Sequence, residues 1–485
     1  MFGKALLKDS LLYGVTDLVA KGIAALCFPL FTHYLSVDQF GILALITIIG
    51  SLAGLVIEFG INNAVQIMYF EKKTREDQKA LVSTGLIIQA AIGVITVTVL
   101  IGITYLFKDF FYNRFQIKWI WVVMALLIVI PNSLIRFTLN ILRLHYKPLV
   151  FGLITTTTNL LWMFLALYLM STTNWGLGAY FFANLVVVLL ILPFAILAIR
   201  SDVGNEYSPE IKNVVVKLAY PFVFSNVAYW LYGSIDRWIL AEYSNIFQVG
   251  LYSVGYKLAV VVAFVNAAFS QAWSPILYKS INKDEKEGVV FINKVASIYL
   301  FFISIVCCVL ILFSFEIFSI LTPSEYWPAS ICAAFIITAL FFSATTQFTL
   351  IGVSVRKKTR FINTASWIAV IANIILNLFL AKYLGAIGAG IAMIGTYMII
   401  TGIYNHFSKK VFTYYLKTQH LVWPVIYLFI ANAINYFGSY YNVNSTIWLL
   451  GIKIFTIIIM VLVFFKKSQL SFKMIFETFK VARQA

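Results

Sequence analysis

The 485-residue sequence predicts an all-α integral membrane protein of about 14 transmembrane helices, set out as two six-helix lobes related by pseudo-two-fold symmetry plus two C-terminal helices. Three observations carry that prediction. Hydrophobic residues make up 61% of the chain and charged residues 11%, against about 25% charged in a soluble globule. The apolar residues are gathered into runs of the roughly 20 residues that a bilayer span requires. A block of the first half, Tyr34–Tyr69, also repeats weakly in the second, without gaps, at an offset of 209 residues.

The runs fall at 10–36, 40–69, 80–107, 119–143, 149–171, 177–199, 213–242, 250–280, 289–320, 329–355, 361–383, 388–408, 421–439 and 445–465. The first follows a short basic start but continues to Ser36 with Asp17 and Lys21 inside it, and it lacks a small-x-small cleavage site. It therefore reads as a retained helix rather than a signal peptide. Orientation follows from Lys and Arg: with the N-terminus inside, 27 of the 36 lie in inner segments and four in outer ones, Lys108, Arg114, Lys118 and Lys382. Such a bias places both termini in the cytoplasm, and it accounts for the net charge of +17 without any nucleic-acid partner.

The repeat pairs Tyr34, Gln39, Gly41, Val56, Ile67 and Tyr69 with Tyr243, Gln248, Gly250, Val265, Ile276 and Tyr278, and the same logic pairs Gly178-Ala179 with Gly388-Ala389. Six-helix halves of equal orientation form a transporter architecture whose substrate site lies between the halves. The expected division is 1–205 for the N-lobe, 206–415 for the C-lobe, and 416–485 for the last two helices and a cytoplasmic tail.

Five basic residues, Lys21, Arg136, Arg237, Lys257 and Lys453, lie inside these segments, with few acids beside them, such as Asp17, Glu58 and Asp236. An ionisable group at membrane depth costs at least roughly 2.5–3.5 kcal/mol, so it faces a protein interior or a watery cavity and marks function. The implied cavity is cationic, which points to an anionic substrate. Asp17 and Lys21 are four apart and share a helix face, as cavity groups or as an ion pair that locks the helix. Arg136 follows Pro131 and Asn132 and either lines the cavity or snorkels to the inner headgroups. Arg143, His145 and Lys147 beyond it read as plain inner-loop charges. Asp236 and Arg237 are adjacent, about 100° apart on a helix, and are expected to contact different partners.

Lys257 is too deep to sit comfortably unpaired, and Lys453 meets either a substrate headgroup or an acid or carbonyl. Asn266, Gln271, Tyr229 and Trp230 are candidate sugar contacts, against the plainer reading of packing. The four Cys fall within apolar runs and read as small apolar side chains. The four Cys and four His show no metal-ligand spacing, and there is no phosphate-binding Gly-rich loop, no Ser-His-Asp arrangement and no large outer loop. No cofactor is therefore expected and an enzyme, such as a membrane polysaccharide polymerase, is disfavoured. Asp17, Glu58 or Asp236 as a proton or sodium site, and the membrane potential, are the open routes to energy coupling.

The turn "YLSVDQFGILAL", the block "GSIDRWILAEYSNIFQVGLYSVGYKLA" and the segment "GAIGAGIA" resemble the polysaccharide repeat-unit flippases, the O-antigen, lipopolysaccharide and capsule transporters of the multidrug/oligosaccharidyl-lipid/polysaccharide exporter superfamily. The resemblance covers the whole chain. It implies movement of an undecaprenyl-pyrophosphate-linked oligosaccharide from the inner to the outer leaflet of the bacterial plasma membrane, by alternating access through a cationic central cavity, with polysaccharide assembly machinery as a further partner. It also implies functional charges in the first helix, where Asp17 and Lys21 stand, and a lipid-tail groove beside the last two helices. Lys and Arg would replace water around the pyrophosphate. Moving two negative charges outward across about 100 mV would gain up to roughly 4.6 kcal/mol. The rival within the superfamily is a multidrug and toxin extrusion antiporter, whose cavity for cationic drugs would be acidic.

Overall fold

The computed structural model describes residues 22, 27–72, 74–204, 207–412, 414, 416–417, 419–441 and 446–468. These residues are helical with short connections, and ten of their helices are long and apolar enough to cross a membrane. The chain divides into two compact units, Met1–Ser234 and Ile235–Ala485. The first predicted segment, with Asp17 and Lys21, lies largely outside the described residues.

The first unit contains α1 (Val37–Glu58), α2 (Ile61–Tyr69), α3 (Arg75–Leu106), α4 (Lys108–Phe115), α5 (Trp119–Leu144), α6 (Pro148–Thr172), α7 (Leu177–Ala198) and most of α8 (Pro209–Tyr243). Its centre is α5, which packs on α1, α3 and α7. The second unit contains α9 (Ile246–Lys283), α10 (Glu285–Leu312), α11 (Ser314–Leu321), α12 (Ala329–Thr349), α13 (Ile351–Val355), α14 (Thr359–Val411), α15 (Gln419–Tyr440) and α16 (Ile447–Ser468). Here α12 takes the central place against α9, α10 and α14. Of its most apolar 18-residue stretch, 78% is buried, so it reads as hydrophobic all round.

Local chemistry sets the helix starts, and it repeats at the same offset of 209. Ser36 caps α1, its hydroxyl accepting the Gln39 N–H while the Gln39 side chain accepts the Ser36 N–H. Asn245 caps α9 by accepting the Gln248 N–H at 2.9 Å. The Gln39 side chain lies against Gly176, just before α7, and the Gln248 side chain accepts the Ala386 N–H at 3.0 Å beside Gly385. Both glycines have left-handed φ, 50° and 57°. One glutamine thus braces one glycine turn in each unit, which moves the matched position from Gly178/Gly388 to Gly176/Gly385. Gly385 also breaks α14 into two spans, as the separate runs at 361–383 and 388–408 anticipate.

Three places differ from the sequence reading. The run at 289–320 is two helices, α10 and α11, which part at Phe313, where the Ser314 hydroxyl donates to the Ile311 carbonyl at 2.9 Å. The connection after residue 107, expected to be an outer loop, is itself largely the helix α4, with the Lys108 ammonium 4.4 Å from the centre of the Tyr105 ring. The run at 40–69 is also interrupted, at Phe59 and Gly60, whose φ values are 43° and 74°. A left-handed phenylalanine costs roughly 1–2 kcal/mol. In the second unit α9 runs unbroken past the corresponding Ala268 and Phe269.

The brace predicts an ordering of glycine substitutions. A Cβ at Gly385 would lie 2.7 Å from the Gln248 Oε1, on a backbone that L residues avoid, whereas one at Gly102 meets nothing within 4 Å. Gly385→Ala is therefore expected to destabilise the purified protein by more than about 1 kcal/mol, and Gly102→Ala to leave it unchanged or slightly more stable. Thermal unfolding in detergent distinguishes them.

Candidate functional site

The described ionisable side chains fall into separate arrangements, each inside one unit. In the first, Arg136 on α5 places its Nε 3.0 Å from the Glu58 Oε1, at the end of α1, with both side chains part-exposed at 55% and 32%. One turn further along α5, the Asn140 amide donates to the Asn62 carbonyl at the start of α2, at 3.2 Å. Arg136 is thus ion-paired with Glu58, a partner that the sequence reading did not assign to it.

A second arrangement in this unit ties three connections at one end. Arg75 reaches Asp202 at 2.6 Å, the His145 Nε2 lies 3.1 Å from the same carboxylate, and the Tyr69 hydroxyl lies 2.9 Å from the His145 Nε2. Asp202 is buried. His145 is therefore not the plain loop charge expected from sequence, since the fold brings a buried carboxylate from a distant connection against it. Burial lowers the His145 pKa, and Arg75 and Lys147 lower it further against the opposing pull of Asp202. Arg143 packs its guanidinium 4.6 Å from the centre of the Phe151 ring.

In the second unit, Asp236 and Arg237 do pair, at 3.3 Å, contrary to the expectation of separate partners. The arginine side chain is long enough to fold back across the angle between neighbouring positions, and the Asp236 carboxylate also accepts the Arg237 backbone N–H at 2.8 Å. The Tyr252 hydroxyl donates to the other carboxylate oxygen at 2.5 Å. The guanidinium lies 5.3 and 5.0 Å from the centres of the Tyr252 and Tyr256 rings. Arg237 is thus neutralised and enclosed.

Lys257, one position beyond Tyr256, is exposed and has no ion-pair partner among the described residues. It is close enough to Arg237 for the two positive charges to repel. Lys453 on α16 is fully buried, and its ammonium meets the Glu316 carboxylate of α11 at 2.5 Å. That contact fulfils the pairing alternative for Lys453.

Among the sugar-contact candidates, Asn266 accepts the Tyr299 hydroxyl at 2.8 Å, Gln271 is exposed, and the Trp230 indole donates to Ser51 at 2.8 Å. The Tyr229 side chain lies outside the described residues, as do Asp17 and Lys21. The sequence reading passed over Asn373, Asn377 and Thr396, buried on α14, where the Asn373 amide donates to the Thr396 hydroxyl at 3.0 Å and the Asn377 amide to the Asn373 carbonyl at 2.9 Å. An Asn pair four apart inside an apolar run was the available signal. Glu316, an acid inside the apolar run at 289–320, and Asp202, in the connection after residue 199, were the signals for the other missed groups.

Two helical units with ionisable groups held within membrane-length helices define a polytopic membrane protein. The sequence profile of the family described as "Polysaccharide biosynthesis protein" matches residues 6–281, more than half of the chain, and the chain belongs to that family. No curated protein sequence matches it significantly. In fold it is similar to the lipid II flippase MurJ in an inward closed conformation, with a TM-score of 0.70 at 18% identity, covering 94% of this chain and 98% of that one. It is also similar to an inward-facing multidrug resistance MATE family transporter of the MOP superfamily (TM-score 0.59, 13% identity, 83% and 93% covered). A third likeness is to a MOP superfamily transporter from Pyrococcus furiosus described by a binding pocket of reverse polarity (TM-score 0.57, 13% identity, 84% and 95% covered).

Two outcomes follow for the paired groups. Lys453→Met leaves the Glu316 carboxylate without its counter-ion, and because Glu316 is 25% exposed the expected loss is about 1–3 kcal/mol, below that of a fully buried pair. The double variant Lys453→Met/Glu316→Leu recovers part of the thermal stability. For His145, a folded pKa below the unfolded value near 6.5 means the unfolded chain binds more protons between the two. Stability from this group is therefore present above about pH 6.5 and is lost as pH falls below it. His145→Gln is expected to flatten the melting-temperature profile between about pH 7 and 5.

Proposed function

We propose that this protein is a flippase that moves undecaprenyl-pyrophosphate-linked oligosaccharide repeat units from the cytoplasmic to the outer leaflet of the bacterial plasma membrane, by alternating access through a cationic cavity. Membership of a polysaccharide biosynthesis family supports the saccharide cargo, and the fold shared with a protein named as a lipid II flippase supports a lipid-linked one. On this reading the chain is a transporter rather than an enzyme, with both termini cytoplasmic, acting beside the machinery that assembles O-antigen or capsule.

Lys257 is the observation that carries the anionic substrate. It stands roughly 16 Å along α9 from Ile246, exposed and without a counter-ion among the described residues. A lysine so deep in a spanning helix faces water or polar groups rather than lipid. A pyrophosphate would supply the charge-assisted hydrogen bonds that Lys257 lacks. Arg237 and Lys453, each with its own carboxylate, serve structure on this reading, while Arg136 and Lys21 stand with Lys257 on the substrate's path. A multidrug antiporter would place acids where these bases are. Coupling to a proton, a sodium ion or the membrane potential is the proposed energy source, with no organic cofactor.

Complementation of a flippase-deficient strain tests the reading. Lys257→Gln is expected to lower surface polysaccharide at least about tenfold, the loss of one charge-assisted contact, at normal protein level. Arg237→Gln is expected to lower the protein level itself. Normal export by the Lys257, Arg136 and Lys21 variants together, or tight uptake of lipophilic cations with no response to lipid-linked oligosaccharide, overturns it.

A further inference from the structure

The two repeats provide an internal comparison at Arg136. The second unit has no charge there, since position 345, at the same offset in α12, is a threonine whose hydroxyl bonds to Thr401 and to the Phe342 carbonyl, at 3.0 and 2.6 Å. The partner position of Glu58 is Ala267, and that of Asn140 is Thr349. The helix break at Phe59 and Gly60 is also confined to the first unit, since α9 continues through Ala268 and Phe269. Three departures from the repeat therefore coincide: the acid, the base and the break.

Their geometry is that of a clasp. Glu58 is the last residue of α1. A carboxylate at a helix C-terminus is disfavoured by the partial negative charge of the free carbonyls there, and Arg136 offsets it from α5 at 3.0 Å. Asn140, four residues on and so on the same face of α5, holds the far side of the break through the Asn62 carbonyl. The pair is part-exposed, at 55% and 32%, so an arriving anion can reach the guanidinium without unpacking the core. Gly54 leaves the guanidinium room, since a Cβ there would be 3.3 Å from the Arg136 Nη2. Asn140 keeps its own bond to the backbone whichever anion Arg136 holds.

We propose that Glu58 is a built-in, displaceable counter-anion: it occupies Arg136 in the unloaded protein, and the pyrophosphate of the lipid-linked substrate displaces it, freeing the end of α1 to move about the Phe59–Gly60 break. This deepens, and rests on, the flippase reading. A competing carboxylate keeps an otherwise unpaired arginine neutralised between transport cycles and weakens substrate binding enough for release. A part-exposed pair is worth about a two- to fivefold change in binding.

The test is a native mass spectrometry titration of the full-length protein in lipid nanodiscs with undecaprenyl pyrophosphate, using undecaprenol as the uncharged control and inorganic pyrophosphate as the lipid-free one. Glu58→Gln, close in shape and neutral, is expected to tighten binding of the pyrophosphate lipid about two- to fivefold. Glu58→Asp should restore wild-type affinity. Arg136→Gln should weaken binding, and in that background Glu58→Gln should have no further effect. Unchanged or weaker binding by Glu58→Gln overturns the displacement while leaving the flippase reading in place, as does tightening that persists without Arg136, which would reflect a general change of potential. Wild-type binding of the pyrophosphate lipid no stronger than of undecaprenol sinks the flippase reading and this inference with it. Inorganic pyrophosphate that competes for the same site identifies the diphosphate as the recognised group, and tight binding that it cannot compete overturns recognition through Arg136. Spin labels on either side of the break, at Ser51 and Gln66, supply the conformational readout. Undecaprenyl pyrophosphate is expected to shift their distance distribution in wild type but not in Arg136→Gln, and an unchanged wild-type distribution at saturating ligand overturns the hinge.

Discussion

Neutralising charge at membrane depth is the constraint on which the rest of this structure depends. Each spanning helix must satisfy its backbone internally, so the helices themselves follow from the apolar runs. The bases inside them have no such automatic solution. Each of the four described bases meets the requirement differently. Lys453 is buried against Glu316, Arg237 is enclosed by Asp236 and two tyrosines, Arg136 shares a part-exposed pair with Glu58, and Lys257 has no carboxylate among the described residues. The ordering runs from fixed structure to open chemistry. Full burial with a partner makes a charge costly to disturb, whereas exposure leaves it free to bind something else.

The sequence disclosed the fold in proportion to how strongly hydrophobic burial determines it. Apolar runs located the helices within a few residues, and the 209-residue offset predicted that Gln39 and Gln248 would stand in equivalent places, which the bracing of Gly176 and Gly385 bears out. Breaks within a run were not legible. Phe59 looks like any apolar residue, and its left-handed backbone is imposed by the surrounding packing rather than by its own preference. Nor was the α10–α11 boundary legible, which falls at Phe313.

The site was legible in its chemistry and obscure in its pairing. Intramembrane Lys and Arg stand out in any apolar run, so their positions were plain, but partners 78, 137 or 127 positions away, as in Glu58–Arg136, Glu316–Lys453 and Arg75–Asp202, depend on topology. Helical geometry alone also misjudged Asp236 and Arg237. Cβ directions on a helix constrain short side chains well, but an arginine reaches across a hundred degrees and folds back to the residue before it.

The repeat then separates what the fold requires from what it has been given in addition. The cap at Ser36 or Asn245 and the glutamine-braced glycine occur in both units, so they belong to the architecture. The Glu58–Arg136 pair and the Phe59–Gly60 break occur in the first, where the second has Ala267, Thr345 and a continuous helix. Lys257 reverses the asymmetry, for the residue 209 positions earlier is Ile48, buried in α1. The fold alone does not require a charge in one copy where the other copy folds with an apolar or hydroxyl side chain. On the flippase reading proposed above, a cargo whose charge is confined to one end would impose such an asymmetric demand: a diphosphate headgroup would need a cation wherever it paused, while its saccharide and isoprenoid portions would not.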